Sequence, residues 1–462
     1  MTLDSSVGRA GDCSISVEIP RSLVRIRFEG LVFFYFFHLF FQSLFLHNNY
    51  QQKINQSEEK PITPQIIQDT NQSEITSSIC QSTNTRNTSL NDYPAEDFTS
   101  WSFDIFKYEI MFGSNTMTEV GASILIKEYN IGAILKVDNR DIIHWLSQIE
   151  EKYHYDLPYH NCIHGTDALQ ATAALLHQLN LHRPNFLTRF QQVALLIAAT
   201  AHDVGHPGKT AGYLINTGNE LAALYSNKSV LENYHNKLLW DITFNKESPC
   251  NIIKNLPRSL SIEFQKQVTQ CILATDMFEH KDTLHRFKLE CQALNNDEID
   301  GNGPGQSSVQ KMIIKIADIS NPARDFKTAK IWAKRICEEY FQQTEIEKLQ
   351  NLPISMPNFD KEKCARIEEA QYGFGMFIEE MYSTWNMFCP CDQILSNLRS
   401  NTKTWQERIG TNYDSDEEEI EGDDDRRSGE VDECEEDDEI EQEDSCEFEA
   451  LVVGVLEIVF WL

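Results

Sequence analysis

The stretches PYHNCIHGTD, residues 158–167, and AHDVGHPG, residues 201–208, decide how this chain folds. The apolar run VALLIAA, residues 193–199, leads directly into the second stretch, and the run MIIKIA, residues 312–317, leads in the same way to Asp318. A buried helix that ends in polar residues delivers them to a shared site. Three polar clusters of this kind predict one metal centre.

Outside these stretches the apolar pattern is helical. Apolar residues recur at helical spacing at 101–106 and 142–146, and no alternating strand pattern of useful length occurs. Further helices are predicted at 168–179, 189–203, 219–226, 229–243, 260–275, 307–317, 325–349 and 361–388. The Gly- and Asn-rich segment 295–305 predicts a flexible loop. The sequence therefore predicts an all-α fold.

Composition divides the chain into five parts. Residues 98–408 form the predicted folded domain, preceded by a polar linker at 51–97 and followed by an acidic tail at 409–450 and a short apolar end at 451–462. Residues 1–50 contain the apolar run LVFFYFFHLFFQSLFL, residues 31–46. This run is interpreted either as a membrane anchor with a cytoplasmic N-terminus or as sequence that is not natural coding sequence, and both interpretations stay open.

Charge and cysteine usage limit the classes of function. The net charge is −31, and between Asp414 and Glu449 there are 22 acidic residues against two arginines. The remaining chain is only mildly acidic, which argues against a nucleic-acid-binding surface. The twelve cysteines are scattered without disulfide or zinc-knuckle spacing, which favours a reducing compartment. We therefore expect a cytoplasmic protein, with membrane association through residues 31–46 left open.

The polar clusters offer a set of metal ligands. His164, His202, Asp203 and Asp318 would supply two nitrogen and two oxygen ligands, which suits zinc or another borderline divalent ion. Asp203 is the candidate bridge to a second, harder ion such as magnesium. A histidine pair such as His160 and His164 is by itself common on ordinary helices. The metalloprotease pattern H-E-x-x-H is absent.

These motifs together resemble the catalytic domain of class I cyclic-nucleotide phosphodiesterases. The resemblance covers roughly Trp101 to Trp405, with motifs in the family's order. Those motifs are YHNxxHxxD at 159–167, HDxxHPG at 202–208, LENxH at 231–235, ATDM at 274–277, ADISNP at 317–322 and QxGF at 371–374. The segments EEYFxQT at 338–344 and LPxxMPxFD at 352–360 look most like the cAMP-specific subfamily 8, with subfamilies 4 and 7 next.

The resemblance implies a compact HD-type helical domain that hydrolyses 3',5'-cAMP to 5'-AMP and so terminates cyclic-nucleotide signalling. By this resemblance His164, His202, Asp203 and Asp318 hold Zn²⁺, and Asp203 also reaches Mg²⁺ or Mn²⁺. A hydroxide that bridges the two ions would attack phosphorus. His160 would protonate the departing 3' oxygen as general acid.

The resemblance also implies roles around these ions. Gln371 would pair with the purine edge, since its amide both donates and accepts hydrogen bonds. The other implied pocket residues are Tyr159, Asn321, Ile336 and Phe374, and the residues implied to serve metal-bound waters are His206, Glu232, Thr275 and Asp276. Ordinary core packing is the alternative interpretation for Ile336 and Phe374. A homodimer is a further open expectation.

One position departs from the family pattern. The family usually has an acidic residue where this chain has Gly205. Loss of that carboxylate would weaken the local hydrogen-bonding network, so a catalytically weakened nucleotide-binding protein is one alternative. Because the Gln371 amide can rotate, dual-specificity or cGMP hydrolysis is another.

Overall fold

The structure, a computed structural model, describes residues 98–246, 250–295, 304–361 and 366–409. Within these ranges it contains fifteen α-helices and no strand. The helices are α1 (Ile105–Phe112), α2 (Thr116–Ala122), α3 (Ile131–Leu135), α4 (Asn139–Glu150), α5 (Cys162–His182), α6 (Arg189–Ala201), α7 (Ala211–Asn216), α8 (Glu220–Leu224), α9 (Val230–Thr243), α10 (Arg258–Leu273), α11 (His280–Asn295), α12 (Gln306–Asp318), α13 (Phe326–Leu349), α14 (Ile367–Phe388) and α15 (Asp392–Arg408).

The all-α prediction is confirmed. Helix α14 begins later than the predicted residue 361, because Arg366 has an extended backbone and Glu368 and Glu369 occupy the first turn, where the helix dipole favours acidic side chains. Helices α11 and α15 were not predicted, since both are largely polar. The short helices α2, α3 and α7 were not predicted either.

The centre of the domain is α5. Nearly every residue from Cys162 to Leu176 is buried, and small side chains such as Gly165 and Ala171 allow other helices to approach from several sides. Helices α6 and α12 both pack against α5. The start of α5 and the ends of α6 and α12 carry the polar clusters, so this packing brings the clusters to one place.

Local caps set where these helices begin. The Asn161 side chain accepts hydrogen bonds from the backbone N–H groups of Ile163 and His164, which starts α5 six residues before the predicted boundary. Helix α6 begins with a capping box, in which Thr188 and Gln191 bond each other's backbone N–H groups. His164 therefore lies in the first turn of α5, while His160 precedes the helix.

Several predictions concern residues outside the described ranges. They are the apolar segment 1–50, the linker 51–97, most of the loop 295–305, and the acidic and apolar C-terminal segments. These assignments stay predictions. Among the helices that the structure describes, none is both long and apolar enough to cross a membrane.

Candidate active site

Two histidines and two aspartates from three helix ends meet at one point. The Nε2 atoms of His164 and His202 are 3.3 Å apart. Asp203 Oδ2 lies 3.3 Å from the first nitrogen and 3.2 Å from the second, and Asp318 Oδ1 lies 3.2 Å and 3.0 Å from them. Both histidines are fully buried, whereas the two carboxylates keep some exposure toward a cavity.

These spacings fit a metal ion. An ion about 2.0–2.1 Å from each ligand places neighbouring ligand atoms about 2.9–3.4 Å apart in octahedral or tetrahedral coordination. His202 Nδ1 contacts the Ala199 carbonyl at 2.9 Å, and because a carbonyl only accepts, Nδ1 must carry the proton. In its neutral form the ring therefore turns a bare Nε2 toward the two carboxylates and the second imidazole. A cation among these atoms removes the repulsion.

The pKa values of the same groups show how strongly they favour positive charge. Burial alone would lower the pKa of His202, but the carboxylates of Asp203 and Asp318 outweigh it and hold that pKa well above its usual range. Burial alone would likewise raise the pKa of Asp318, and His202 reverses the effect. The donor set thus suits a divalent ion bound by neutral imidazoles and ionised carboxylates.

The cavity has an acidic wall beside Asp203, formed by Glu232, Thr275 and Asp276. Burial together with the Asp276 carboxylate raises the pKa of Glu232 to about 8. His235 Nε2 is buried, has no hydrogen-bond partner among the described residues, and lies 3.7 Å from Asp203 Oδ1. Such a wall suits a harder ion that keeps most of its water ligands. The side chains of the wall would then hydrogen-bond those waters.

His160 is held by a carboxylate, Glu339, for which no role in the site was predicted. Its Nδ1 lies 2.5 Å from Glu339 Oε1, and Glu339 Oε2 accepts the backbone N–H groups of Tyr159 and His160 at 3.0 and 3.1 Å. Burial alone would raise the pKa of Glu339, but His160 lowers it to about 2. The ionised carboxylate fixes Nδ1 as a donor, which leaves Nε2 for a ligand in the cavity. Glu339 follows the candidate pocket residue Ile336 by three positions, a spacing that places both on one face of α13.

We expect Glu339→Gln to lower turnover about 10- to 100-fold, because the neutral amide no longer fixes the His160 ring and does not stabilise its charged form. Steady-state kinetics at saturating substrate would measure the change. The matched control is Glu338→Gln, the exposed neighbour on the same helix, which should behave as the unchanged chain. Equal activity of both variants would remove Glu339 from the site.

His206 packs between other imidazoles. Its ring stacks on His160 at 3.9 Å between centroids, and its Nδ1 accepts the Gly208 backbone N–H at 3.0 Å. Burial lowers the pKa of His206 well below its usual range, so the ring is neutral with the proton on Nε2. His160, His206 and Glu339 are close enough to bind an ion, but this tautomer presents a donor and makes the trio a poor ligand set.

The cluster of His164, His202, Asp203 and Asp318 opens into a cavity of about 540 Å³, a size that suits a small molecule. Tyr159, Asn321, Ile336, Gln371 and Phe374 all line it, which brings together every pocket residue expected from the resemblance. Ile336 and Phe374 are partly buried and pack against the core, so the structure is compatible with both interpretations offered for them.

The Asn321 amide has a fixed orientation. Its Nδ2 donates to Asp167 Oδ2 at 3.0 Å, and its Oδ1 accepts the Tyr159 hydroxyl at 2.5 Å. Asp167 is in turn paired with Arg324 at 2.8 Å, and both side chains are buried. Gln371 differs, since its amide lies close enough to the Cys337 thiol to lower the pKa of that thiol, and a thiol is a weak group that both donates and accepts.

Gly205 has a backbone reason to be glycine. Its φ is +75°, in the left-handed region, and a Cβ atom there would lie 2.4 Å from Leu238 Cδ2 and 3.2 Å from the Tyr234 hydroxyl. The space that a side chain at this position would enter is already filled. We therefore expect no gain in turnover or metal retention from Gly205→Asp.

We expect Gly205→Ala to destabilise the fold by more than the about 1–2 kcal/mol that left-handed backbone costs an L-residue, since the methyl group also meets Leu238. Gly218→Ala is the matched control, because Gly218 also has a positive φ, +63°, but open space around it. Urea unfolding compares the two. A Gly205→Ala variant as stable as Gly218→Ala would contradict this packing.

The all-helical fold, with a His and Asp cluster gathered from its helix ends beside a nucleotide-sized cavity, is that of phosphodiesterase catalytic domains. The chain belongs to the 3'5'-cyclic nucleotide phosphodiesterase family, whose sequence profile matches residues 159–398.

Named relatives and solved structures agree with this family. The human high affinity cAMP-specific and IBMX-insensitive 3',5'-cyclic phosphodiesterase 8A is 35% identical over 340 residues, which cover 69% of this chain and 40% of that protein. The probable 3',5'-cyclic phosphodiesterase pde-6 of Caenorhabditis elegans is 34% identical over 314 residues, 67% of this chain and 40% of that protein. The chain thus spans about two-fifths of the length of these relatives. The phosphodiesterase domain of Salpingoeca rosetta rhodopsin phosphodiesterase superposes with a TM-score of 0.60 at 27% identity, covering 68% of this chain and 92% of that one.

Proposed function

We propose that this chain is a metal-dependent hydrolase that converts 3',5'-cAMP to 5'-AMP. The observation that carries the proposal is the cluster of His164, His202, Asp203 and Asp318, in which the two histidine nitrogens lie 3.0–3.3 Å from each other and from the carboxylate oxygens. The cluster stands at the wall of a cavity that also holds a carboxylate-bound His160. The preference for cAMP is supported by the relatives, whose names describe cAMP-specific enzymes.

His164, His202, Asp203 and Asp318 would hold Zn²⁺, and Asp203, facing the acidic wall, would share Mg²⁺ or Mn²⁺. When bound, the ions supply a hydroxide nucleophile and neutralise charge on the phosphate. The chain's own residues do the rest. His160, oriented by Glu339, gives the Nε2 proton to the departing 3' oxygen, and the phosphodiester opens to a 5'-monophosphate.

The pocket residues would orient the purine. Ile336 and Phe374 would lie on the two faces of the base, and Gln371 would hydrogen-bond its edge. Tyr159 and Asn321 already bond each other, so they present a fixed polar wall. Burial of the base in this cavity excludes water from the phosphate side of the site.

Dual hydrolysis of cAMP and cGMP is a second candidate. The Cys337 thiol near the Gln371 amide is a weak partner that can serve either end of it, so this contact does not fix the amide in the orientation for one base. Any preference between cAMP and cGMP would then come from the other pocket residues.

The test is hydrolysis of cAMP and cGMP, side by side, by the full chain with Zn²⁺ and either Mg²⁺ or Mn²⁺. In ¹⁸O-labelled water we expect 5'-AMP that carries one ¹⁸O in its phosphate, formed faster than 5'-GMP. Equal rates on both nucleotides favour the dual enzyme. Nucleotide binding without turnover would overturn the proposal and favour a binding protein.

A further inference from the structure

Lys315 is a buried cation outside the groups discussed so far. It lies on α12, one turn before Asp318, and only 1% of its surface is exposed. A lysine is almost never fully buried unless its ammonium is paired, because an unpaired charge is costly to remove from water. Its partners therefore indicate why this position is charged.

Those partners all belong to a single turn. Lys315 Nζ donates to the carbonyl oxygens of Ala274 and Asp276 at 3.1 and 3.0 Å, and the Met277 sulfur lies at 3.8 Å. This turn joins α10 to α11 and carries Thr275 and Asp276, both of which line the cavity. Lys315 thus ties the turn to the helix that ends in Asp318.

The same turn is tied to a third helix. Asp276 Oδ2 accepts the Ser229 hydroxyl at 2.7 Å, and its Oδ1 accepts the Phe278 N–H at 2.8 Å. Ser229 precedes α9, whose first turn holds Glu232. Hydrogen bonds therefore link Lys315 through the turn to Ser229, at the start of the helix that carries Glu232. Thr275, Asp276 and Glu232, which form the acidic wall, all lie on the elements that these bonds connect.

The electrostatics of this region match the geometry. Burial lowers the pKa of Lys315 to about 8, against the pull of the carboxylates of Asp318, Asp276 and Glu232, so the ammonium is charged at neutral pH. The ammonium already has three acceptors in the turn, so it does not pair with a ligand in the cavity. Instead, Lys315 stabilises the turn that carries two residues of the acidic wall, Thr275 and Asp276.

We propose that Lys315 is a positioning residue for the second metal ion: it fixes the turn at 274–277, and through Ser229 the start of α9, so that Thr275, Asp276 and Glu232 can bind the waters of that ion. The inference rests on the two-ion site of the proposed function. It assigns Lys315 no contact with substrate or with either ion.

The test measures ion binding directly, without substrate. Mn²⁺ is titrated into the metal-free full chain, and free Mn²⁺ is read by electron paramagnetic resonance. We expect a tight and a weak class of site in the unchanged chain. In Lys315→Met the weak class should lose affinity about 10- to 100-fold, the usual effect of removing a group that orients metal ligands, while the tight class is unchanged.

Two further variants complete the comparison. Lys311→Met makes the same change at a partly exposed position on the same helix and should bind Mn²⁺ as the unchanged chain does. Ser229→Ala removes only the hydroxyl that holds Asp276, so the weak class should weaken in the same direction but less. Because Ser229 is partly exposed, this variant should fold even if Lys315→Met does not.

The outcomes separate this inference from the proposed function. If Lys315→Met binds both classes normally, or loses both equally, Lys315 serves packing alone and the inference is overturned. If Lys315→Met does not fold, a normal weak class in Ser229→Ala overturns it. An unchanged chain that binds no Mn²⁺ would contradict the two-ion site itself, and the inference falls with it.

Discussion

Asp318→Asn should lower cAMP hydrolysis by about a thousandfold or more and leave the purified chain depleted of its tightly held metal. The carboxylate Oδ1 lies within 3.2 Å of both imidazole Nε2 atoms, so its loss removes one ligand and one negative charge from a buried cluster. Metal ions contribute several kcal/mol to such reactions, and each 1.36 kcal/mol is about a tenfold change in rate.

Asparagine has nearly the same shape as aspartate, so the change tests charge rather than packing. Metal content would be measured by mass spectrometry after dialysis, and turnover would be measured in the same samples. Asp282→Asn, at an exposed position on α11, is the control and should keep both metal and activity. An Asp318→Asn chain that retains a full complement of metal and a tenth of its turnover would contradict the proposed ligand set.

The meeting of His164, His202, Asp203 and Asp318 could be predicted because its signal is local. Each ligand stands where an apolar helical run meets a polar cluster, and two of them, His202 and Asp203, are adjacent in the sequence. The all-α fold was predictable for a similar reason, since α5, α6 and α12 show long apolar runs. Packing of three such helices then leaves few ways to place their polar ends.

Contacts across long sequence separations could not be predicted in this way. Glu339 meets His160 from 179 residues away, and Lys315 on α12 meets Asp276 in the turn between α10 and α11. Neither pairing leaves a periodic pattern, because a single carboxylate or lysine on a helix is more often a solvated side chain. Only the folded arrangement shows that these two are buried and paired.

Gly205 shows a different limit. The sequence presents it as a missing carboxylate, while the structure shows a backbone with φ of +75° and a neighbouring leucine in the space above it. Backbone conformation at a single residue depends on the turn that packing imposes, which periodicity does not reveal. The departure from the family pattern therefore reflects packing at this position as well as chemistry.

His160→Asn should lower turnover of cAMP about 100- to 10,000-fold, the range for loss of a general acid, while metal content stays unchanged. Asparagine can still donate a hydrogen bond to Glu339, and the two backbone N–H bonds to that carboxylate remain, so the loop keeps its place. What is lost is the proton at Nε2. His177→Asn, at an exposed position on α5, is the control.

The choice of substrate separates protonation from binding. Bis(4-nitrophenyl) phosphate has a leaving group that departs without a proton, so His160→Asn should slow its hydrolysis far less than that of cAMP. Equal losses on both substrates would mean that His160 binds the phosphate and does not protonate the leaving oxygen. Because Glu339 acts through His160, adding Glu339→Gln to His160→Asn should cause little further loss, and a fully additive loss would give Glu339 a separate role.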